Sequence, residues 1–80
     1  MTNELQKYYE DRFDMMSKKS WKDLIEDATN IYNEYIKVTS VSPTNSLDYR
    51  RGQIDILHWL ISLEDVSKQT YEELSNEKDL

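Results

Sequence analysis

Hydrophobic residues recur every three or four positions along most of the chain, which is the period of an α-helix with one buried face. One proline and one glycine in 80 residues leave few interruptions. The pattern therefore predicts an all-α fold in a single domain over residues 1–80. It contains three helices, over about residues 4–16, 21–38 and 46–76, with a loop over residues 39–45 around Pro43.

The two N-terminal helices have the pattern of short amphipathic helices. Asn3 and Gln6 have the spacing of a capping box at the start of the first helix, and Ser20 is the predicted N-cap of the second. The apolar positions of the first helix are Leu5, Tyr8, Tyr9, Phe13 and Met16, and those of the second are Trp21, Leu24, Ile25, Ala28, Tyr32, Tyr35, Ile36 and Thr39.

The third helix is apolar over about two thirds of its circumference. Its apolar residues are Ile54, Ile56, Leu57, Trp59, Leu60, Ile61 and Leu63, and Asp55, His58 and Ser62 form a narrow polar seam. A seven-residue series, Tyr49, Ile56, Leu63 and Thr70, favours one unbroken helix, while the cap-like spacing of Ser62 and Asp65 leaves a bend there open. The expected architecture is two short helices packed on one long C-terminal helix.

A helix that is apolar nearly all round is normally surrounded by others, and two short helices barely cover it. A second copy of the chain or another protein is expected to cover the remainder, and 80 residues is a length at which self-association often adds stability. The residues predicted to contact a partner are Ile56, Trp59, Leu60 and Leu63. Tyr8 and Tyr9 are adjacent and cannot both face one core line, so one lies at an edge, and Tyr9 is the predicted contact residue.

The net charge of −6 narrows the classes of molecule that the chain is expected to bind. Six acids against two lysines follow from residue 64 to the C-terminus, and such a surface repels phosphates, so direct nucleic-acid binding and membrane partners are not predicted. A second hypothesis is an acidic inhibitor that occupies the nucleic-acid-binding surface of a host or defence protein. Its acidic surface would comprise Glu72, Glu73, Glu77 and Asp79.

The chain has few residues of the types that catalyse reactions or bind metals. The absence of cysteine excludes disulfides, thiolate zinc sites and a cysteine nucleophile, and one histidine leaves no credible triad, so we expect no enzyme activity and no cofactor. The N-terminus lacks the pattern of a signal peptide and no stretch has the apolar length of a membrane span, so a cytoplasmic location is expected.

Two short motifs still allow functional interpretations. Asp55 and His58 have the spacing found at di-iron sites of helical bundles, so a third hypothesis is a metal-binding dimer in which Glu26 or Glu34 adds a ligand; a hydrogen-bonded histidine is the simpler interpretation. Arg50 and Arg51 precede Gly52 in the first turn of the long helix, where cations oppose the helix dipole. Salt bridges to acids of the first two helices are the favoured explanation, and recognition of a phosphate or carboxylate is the alternative.

Gly52 costs a helix about 1 kcal/mol relative to alanine, so the glycine is expected to permit close approach of another helix.

The long helix resembles small uncharacterised helical proteins of bacteriophages over residues 49–74. The shared run comprises Arg51, Gly52, Ile54, Leu57, Leu60, Ser62 and Leu63, and the segment 71–74 ends the likeness. The resemblance covers about a third of the chain and implies a phage setting rather than an activity. The leading hypothesis is therefore a non-catalytic interaction module that binds itself, a virion component or a host protein, in the host cytoplasm or on the virion.

Overall fold

The computed structural model describes residues 1–37 and 47–77, and these residues form three α-helices and no strand. Helix α1 is Asn3–Met16, α2 is Lys19–Tyr35 and α3 is Leu47–Glu77. The predicted all-α, three-helix arrangement is confirmed. Helix α2 ends at Tyr35 with Ile36 as its C-cap, so the predicted extension to residue 38 was wrong. The helix stops there because the amide of Lys37 bonds the Glu34 carbonyl, three residues back, at 3.2 Å. The predicted loop over residues 39–45 lies outside the described residues.

The helix starts differ from the predicted ones because other residues have the cap conformation. Thr2 is extended, and its hydroxyl accepts a hydrogen bond from the Leu5 amide at 3.1 Å, so the cap lies one residue before Asn3. Helix α2 begins with Lys18 as its N-cap and without a side-chain cap, so the prediction of Ser20 was wrong. The link between α1 and α2 is so short that Ser20 already lies inside α2. The amide of Lys18 donates to the Met15 carbonyl of α1 at 3.2 Å, and the carbonyl of Lys18 accepts from the amide of Lys22 in α2.

Helix α3 runs unbroken for 31 residues, which confirms the prediction of one continuous helix. The Ser62 hydroxyl donates to the backbone carbonyl of His58, one turn earlier in the same helix, so it caps no new helix.

Helix α2 packs along α3 more extensively than α1 does. Ala28 is the one buried residue of α2. Helix α1 packs against the C-terminal part of α3 through an aromatic cluster of Tyr9, Phe13 and Tyr71, in which Tyr71 lies 5.8 Å from Tyr9 and 5.6 Å from Phe13 between ring centroids. Arg12 adds a hydrogen bond of 3.3 Å to the hydroxyl of the buried Ser67.

The three helices leave a thin molecule with a small core. The Cα atoms span 53 × 29 × 15 Å, and their radius of gyration is 16.7 Å, against about 12 Å for a compact chain of this length. Among the described residues only Met16, Ala28 and Ser67 are buried. A stable domain normally closes its core between two layers of secondary structure. Here the helices amount to little more than one layer, so apolar side chains stay in contact with solvent.

Candidate functional site

The most exposed apolar surface of the molecule follows one face of α3. The side chains of Ile56, Tyr49, Trp59 and Val66 are 68%, 64%, 59% and 53% exposed. Their spacing, completed by Gly52 and Leu63, alternates three and four residues, which is the seam of a coiled coil. We call this set the heptad face; it comprises Tyr49, Gly52, Ile56, Trp59, Leu63 and Val66.

The heptad face is exposed because α1 and α2 occupy other sides of α3. The guanidinium carbon of Arg50 lies 4.1 Å from the ring centroid of Tyr35, and the His58 ring lies 6.2 Å from that of Tyr32, so α2 lies on the side of α3 that carries Arg50 and His58. Helix α1 contacts Ser67 further along α3. These contacts leave the heptad face to solvent, and Asp55 and His58 of the polar seam are exposed beside it.

An open apolar groove adjoins the N-terminal half of the heptad face. It has a volume of about 590 Å³ and runs between α2 and α3. Ile31, itself 46% exposed, forms its α2 wall. The other lining residues are Tyr35, Asp48, Tyr49, Gly52, Gln53, Ile56 and Leu57. The groove widens the apolar surface that a second helix could contact.

Gly52 lies within this surface, and its environment differs from the expectation. An ideal Cβ built on Gly52 has no described atom within 4 Å, so no helix of the same chain approaches closely there. The backbone of Gly52 is ordinary helix without positive φ. Neither packing against residues 1–37 and 47–77 nor backbone conformation explains a glycine at this position.

The structure separates the predicted contact residues into two groups. Ile56 and Trp59 lie on the heptad face with most of their surface exposed, while Leu60 and Leu63 are half-buried. Tyr9 is half-buried in the aromatic cluster, whereas Tyr8 is the more exposed of the pair and its hydroxyl accepts a hydrogen bond from Arg12. Tyr9 therefore holds α1 to α3, and its role in binding stays a prediction.

The paired arginines have different surroundings. Arg50 packs its guanidinium on the ring of Tyr35, a cation–π contact with α2, and the expected salt bridge to a described acid of α1 or α2 is not formed. Arg51 is exposed and forms no ion pair with another described residue. Every ion pair among residues 1–37 and 47–77 joins side chains three or four positions apart, and such exposed pairs contribute a few tenths of a kcal/mol each.

The predicted acidic surface is exposed where it is described. Glu72, Glu73 and Glu77 all face solvent in the last turns of α3, and Glu73 accepts a hydrogen bond from Gln69 at 3.4 Å. Asp79 lies outside the described residues.

The metal hypothesis finds no complete site within one chain. Asp55 and His58 are both exposed on α3, yet no group of three histidine or acidic side chains in the described part of the chain could share a metal ion. Neither Glu26 nor Glu34 therefore completes a ligand set with them.

Sequence reasoning missed Val66 and Tyr49 as surface residues. The sequence does contain a signal for this face. The seven-residue series of Tyr49, Ile56 and Leu63 was taken only to indicate a continuous helix. Adding the positions three residues after each member gives Gly52, Trp59 and Val66, which completes the seam.

Comparison with protein-family models, with curated proteins and with solved structures finds no match for this chain. No described helix combines the length and the apolar character needed to cross a membrane. The functional argument therefore rests on the geometry of α3.

Proposed function

We propose that this protein is a non-catalytic interaction module that binds protein through the heptad face of α3. The observation that supports it is the exposure of four large apolar side chains, at coiled-coil spacing, on a helix that already packs another side on α1 and α2. Scattered exposed hydrophobic residues are normal on any protein, but a contiguous stripe of them is typical of an interaction surface.

The size of the stripe supports the same conclusion. Trp59 and Tyr49 are the aromatic types that dominate interface energetics, and Val66 extends the stripe one turn beyond Leu63. The whole molecule exposes 6358 Å², whereas a folded monomer of 9.6 kDa exposes about 5,100 Å². The excess, about 1,300 Å² for one chain, is larger than the roughly 800 Å² that a standard interface removes from each partner.

The resemblance of the α3 segment to small phage proteins favours a phage-encoded accessory, in the host cytoplasm or on the virion, that acts by contact with itself, a virion component or a host protein.

Site-specific photo-crosslinking in the cells that make the protein tests this function. Trp59→benzoylphenylalanine places a photoreactive ring on the heptad face. Leu24→benzoylphenylalanine is the matched control, because Leu24 is 50% exposed on α2 and the surface depression beside it is lined by residues between 15 and 24, none of them from α3. We expect irradiation to give a discrete protein adduct at position 59 and a much weaker one at position 24. Equal yields, or no adduct at position 59, would contradict the proposal.

A second candidate is the acidic inhibitor. The full exposure of Glu72, Glu73 and Glu77 at one end of α3 favours it, since these carboxylates are available to a basic surface. It predicts that the adduct partner is a nucleic-acid-binding protein and that neutralising these acids, together with Asp79, abolishes the inhibition.

A further inference from the structure

We propose that the occupant of the heptad face is the same face of a second copy of this chain, with the two α3 helices antiparallel. This inference rests on the proposed function and specifies its partner, direction and register. Three properties of α3 support it: the size of the side chains along the heptad face, the distribution of charge along the helix, and the exposed apolar area.

Side-chain size favours the antiparallel direction. In a parallel pair, like positions meet, so Gly52 faces Gly52 across an empty layer while Trp59 faces Trp59 in an overfilled one. A gap forfeits contacts, and an overfilled layer forces strained side chains. In an antiparallel pair, each layer joins two different positions, so small and large residues alternate.

One antiparallel register uses all six positions of the heptad face. The two-fold axis of the dimer passes between residues 57 and 58 of each α3 helix. Each pair of seam residues on one side of this axis is repeated on the other side. The pairs are Tyr49 with the partner's Val66, Gly52 with the partner's Leu63, and Ile56 with the partner's Trp59. This register gives Gly52 a close neighbour, which the described residues of its own chain do not supply. Shifting the register by one heptad towards the C-terminus would place Tyr49 against the partner's Glu73 and lose apolar contact.

Charge along α3 supports the same direction. Arg51 lies in the N-terminal half, while Asp65 and the cluster of Glu72, Glu73 and Glu77 lie in the C-terminal half. The antiparallel register places Arg51 at about the same level along the dimer as the partner's Asp65, on the outer side of the pair, where the opposite charges attract each other weakly. It also separates the two acidic ends by about 50 Å, well beyond the distance over which salt screens charge. A parallel pair would hold both acidic ends side by side and pay their repulsion.

The area agrees with a small, reversible dimer. The exposed parts of Tyr49, Ile56, Trp59 and Val66 amount to roughly 450 Å² per copy, or about 900 Å² for two copies. Contacts of Leu63 and of Ile31 across the groove raise the total above the roughly 1,000 Å² that a specific interface needs. We therefore expect dissociation in the micromolar range.

Directed crosslinking tests the direction and the register, and the chain has no cysteine of its own to interfere. The variants Asp48→Cys and Gln69→Cys alter exposed residues that flank the heptad face. In the antiparallel register, residue 48 lies beside the partner's residue 69, while two copies of residue 48 are about 28 Å apart along the helix. We expect a short bismaleimide to crosslink the mixture of the two variants and neither variant alone.

Two further substitutions, one on the heptad face and one on α2, serve as controls. Adding Ile56→Lys to both cysteine variants should remove the crosslink, because it raises the dissociation constant at least about 30-fold. Adding Leu24→Lys, on α2, should leave it unchanged.

Crosslinking of each cysteine variant alone would show a parallel pair and overturn the inference. No crosslink in any sample, with a monomeric mass at about 200 µM, would overturn self-association. In that case a strong photo-adduct of position 59 to a different protein would leave the proposed function standing. Absence of that adduct as well would remove both.

Discussion

Substitution of Gly52 by alanine should change folding and self-association in opposite directions. Within one chain, the added methyl group meets no described atom within 4 Å, and the backbone already has helical angles that alanine adopts. Alanine is favoured over glycine in a helix interior by about 1 kcal/mol. The free energy of unfolding of the monomer should rise by this amount, which corresponds to a Tm about 4–8 °C higher for a domain of this size.

In the antiparallel dimer the same methyl group projects towards the partner's Leu63. Crowding a packed contact costs about 1–3 kcal/mol, and symmetry applies the cost twice. The helix gain is the same in monomer and dimer and cancels from the association equilibrium. The dissociation constant should therefore rise by a factor of about 30 or more.

Urea or thermal unfolding at two protein concentrations measures both effects. Near 1 µM, where monomer dominates, Gly52→Ala should be more stable than the native chain; near 200 µM the advantage should shrink or reverse, since dimerisation stabilises the native chain more. Asn33→Ala is the matched control, because Asn33 is exposed on α2 and its replacement also gains helix propensity. Its advantage should be the same at both concentrations.

Two results would refute the reasoning. A lower Tm for Gly52→Ala at the low concentration would mean that another part of the same chain needs the space. An equal gain at both concentrations would mean that no partner side chain lies on Gly52.

The remaining predictions concern the fold and the acidic end. Met16→Ala should lower the free energy of unfolding by about 2–4 kcal/mol, because Met16 is one of the few buried side chains among the described residues. Urea unfolding near 1 µM measures this loss, and a loss below about 1 kcal/mol would contradict the described core. Tyr71→Ala should cost about 2–3 kcal/mol and should selectively release α1, seen as faster hydrogen exchange of its amides while those of α2 change little. The triple variant Glu72→Gln, Glu73→Gln and Glu77→Gln should retain both fold and dimer, checked by circular dichroism and sedimentation, because these acids form no ion pair with a described residue; loss of the fold would show that they have a structural role.

The helical architecture could be predicted from the sequence because the helical spacing of apolar residues and the position of the one proline indicate the same elements. The single proline and the apolar spacing located three helices within a few residues of their observed bounds. The caps were less readable, since Thr2, Asn3 and Ser20 all have suitable side chains. Which one acts depends on the backbone angle that the neighbouring turn imposes.

The excess apolar surface of α3 was also predicted, but its exposed face was not. Which residues stay uncovered depends on where α2 crosses α3, and that crossing is fixed by contacts such as Ala28 on α2 and Arg50 on Tyr35. For this reason Leu60, expected at the surface, is half-buried, while Val66 is exposed. Periodicity identifies a face but does not identify the neighbour that covers it.

Sedimentation equilibrium of the native chain beside Ile56→Lys and Leu24→Lys tests the central claim most directly. The account predicts that the mass of the native chain and of Leu24→Lys rises from 9.6 kDa towards twice that value between about 1 and 200 µM, while Ile56→Lys stays at 9.6 kDa. A native chain that remains at 9.6 kDa throughout, or three proteins that associate alike, would contradict the assignment of the heptad face as the interface between two copies.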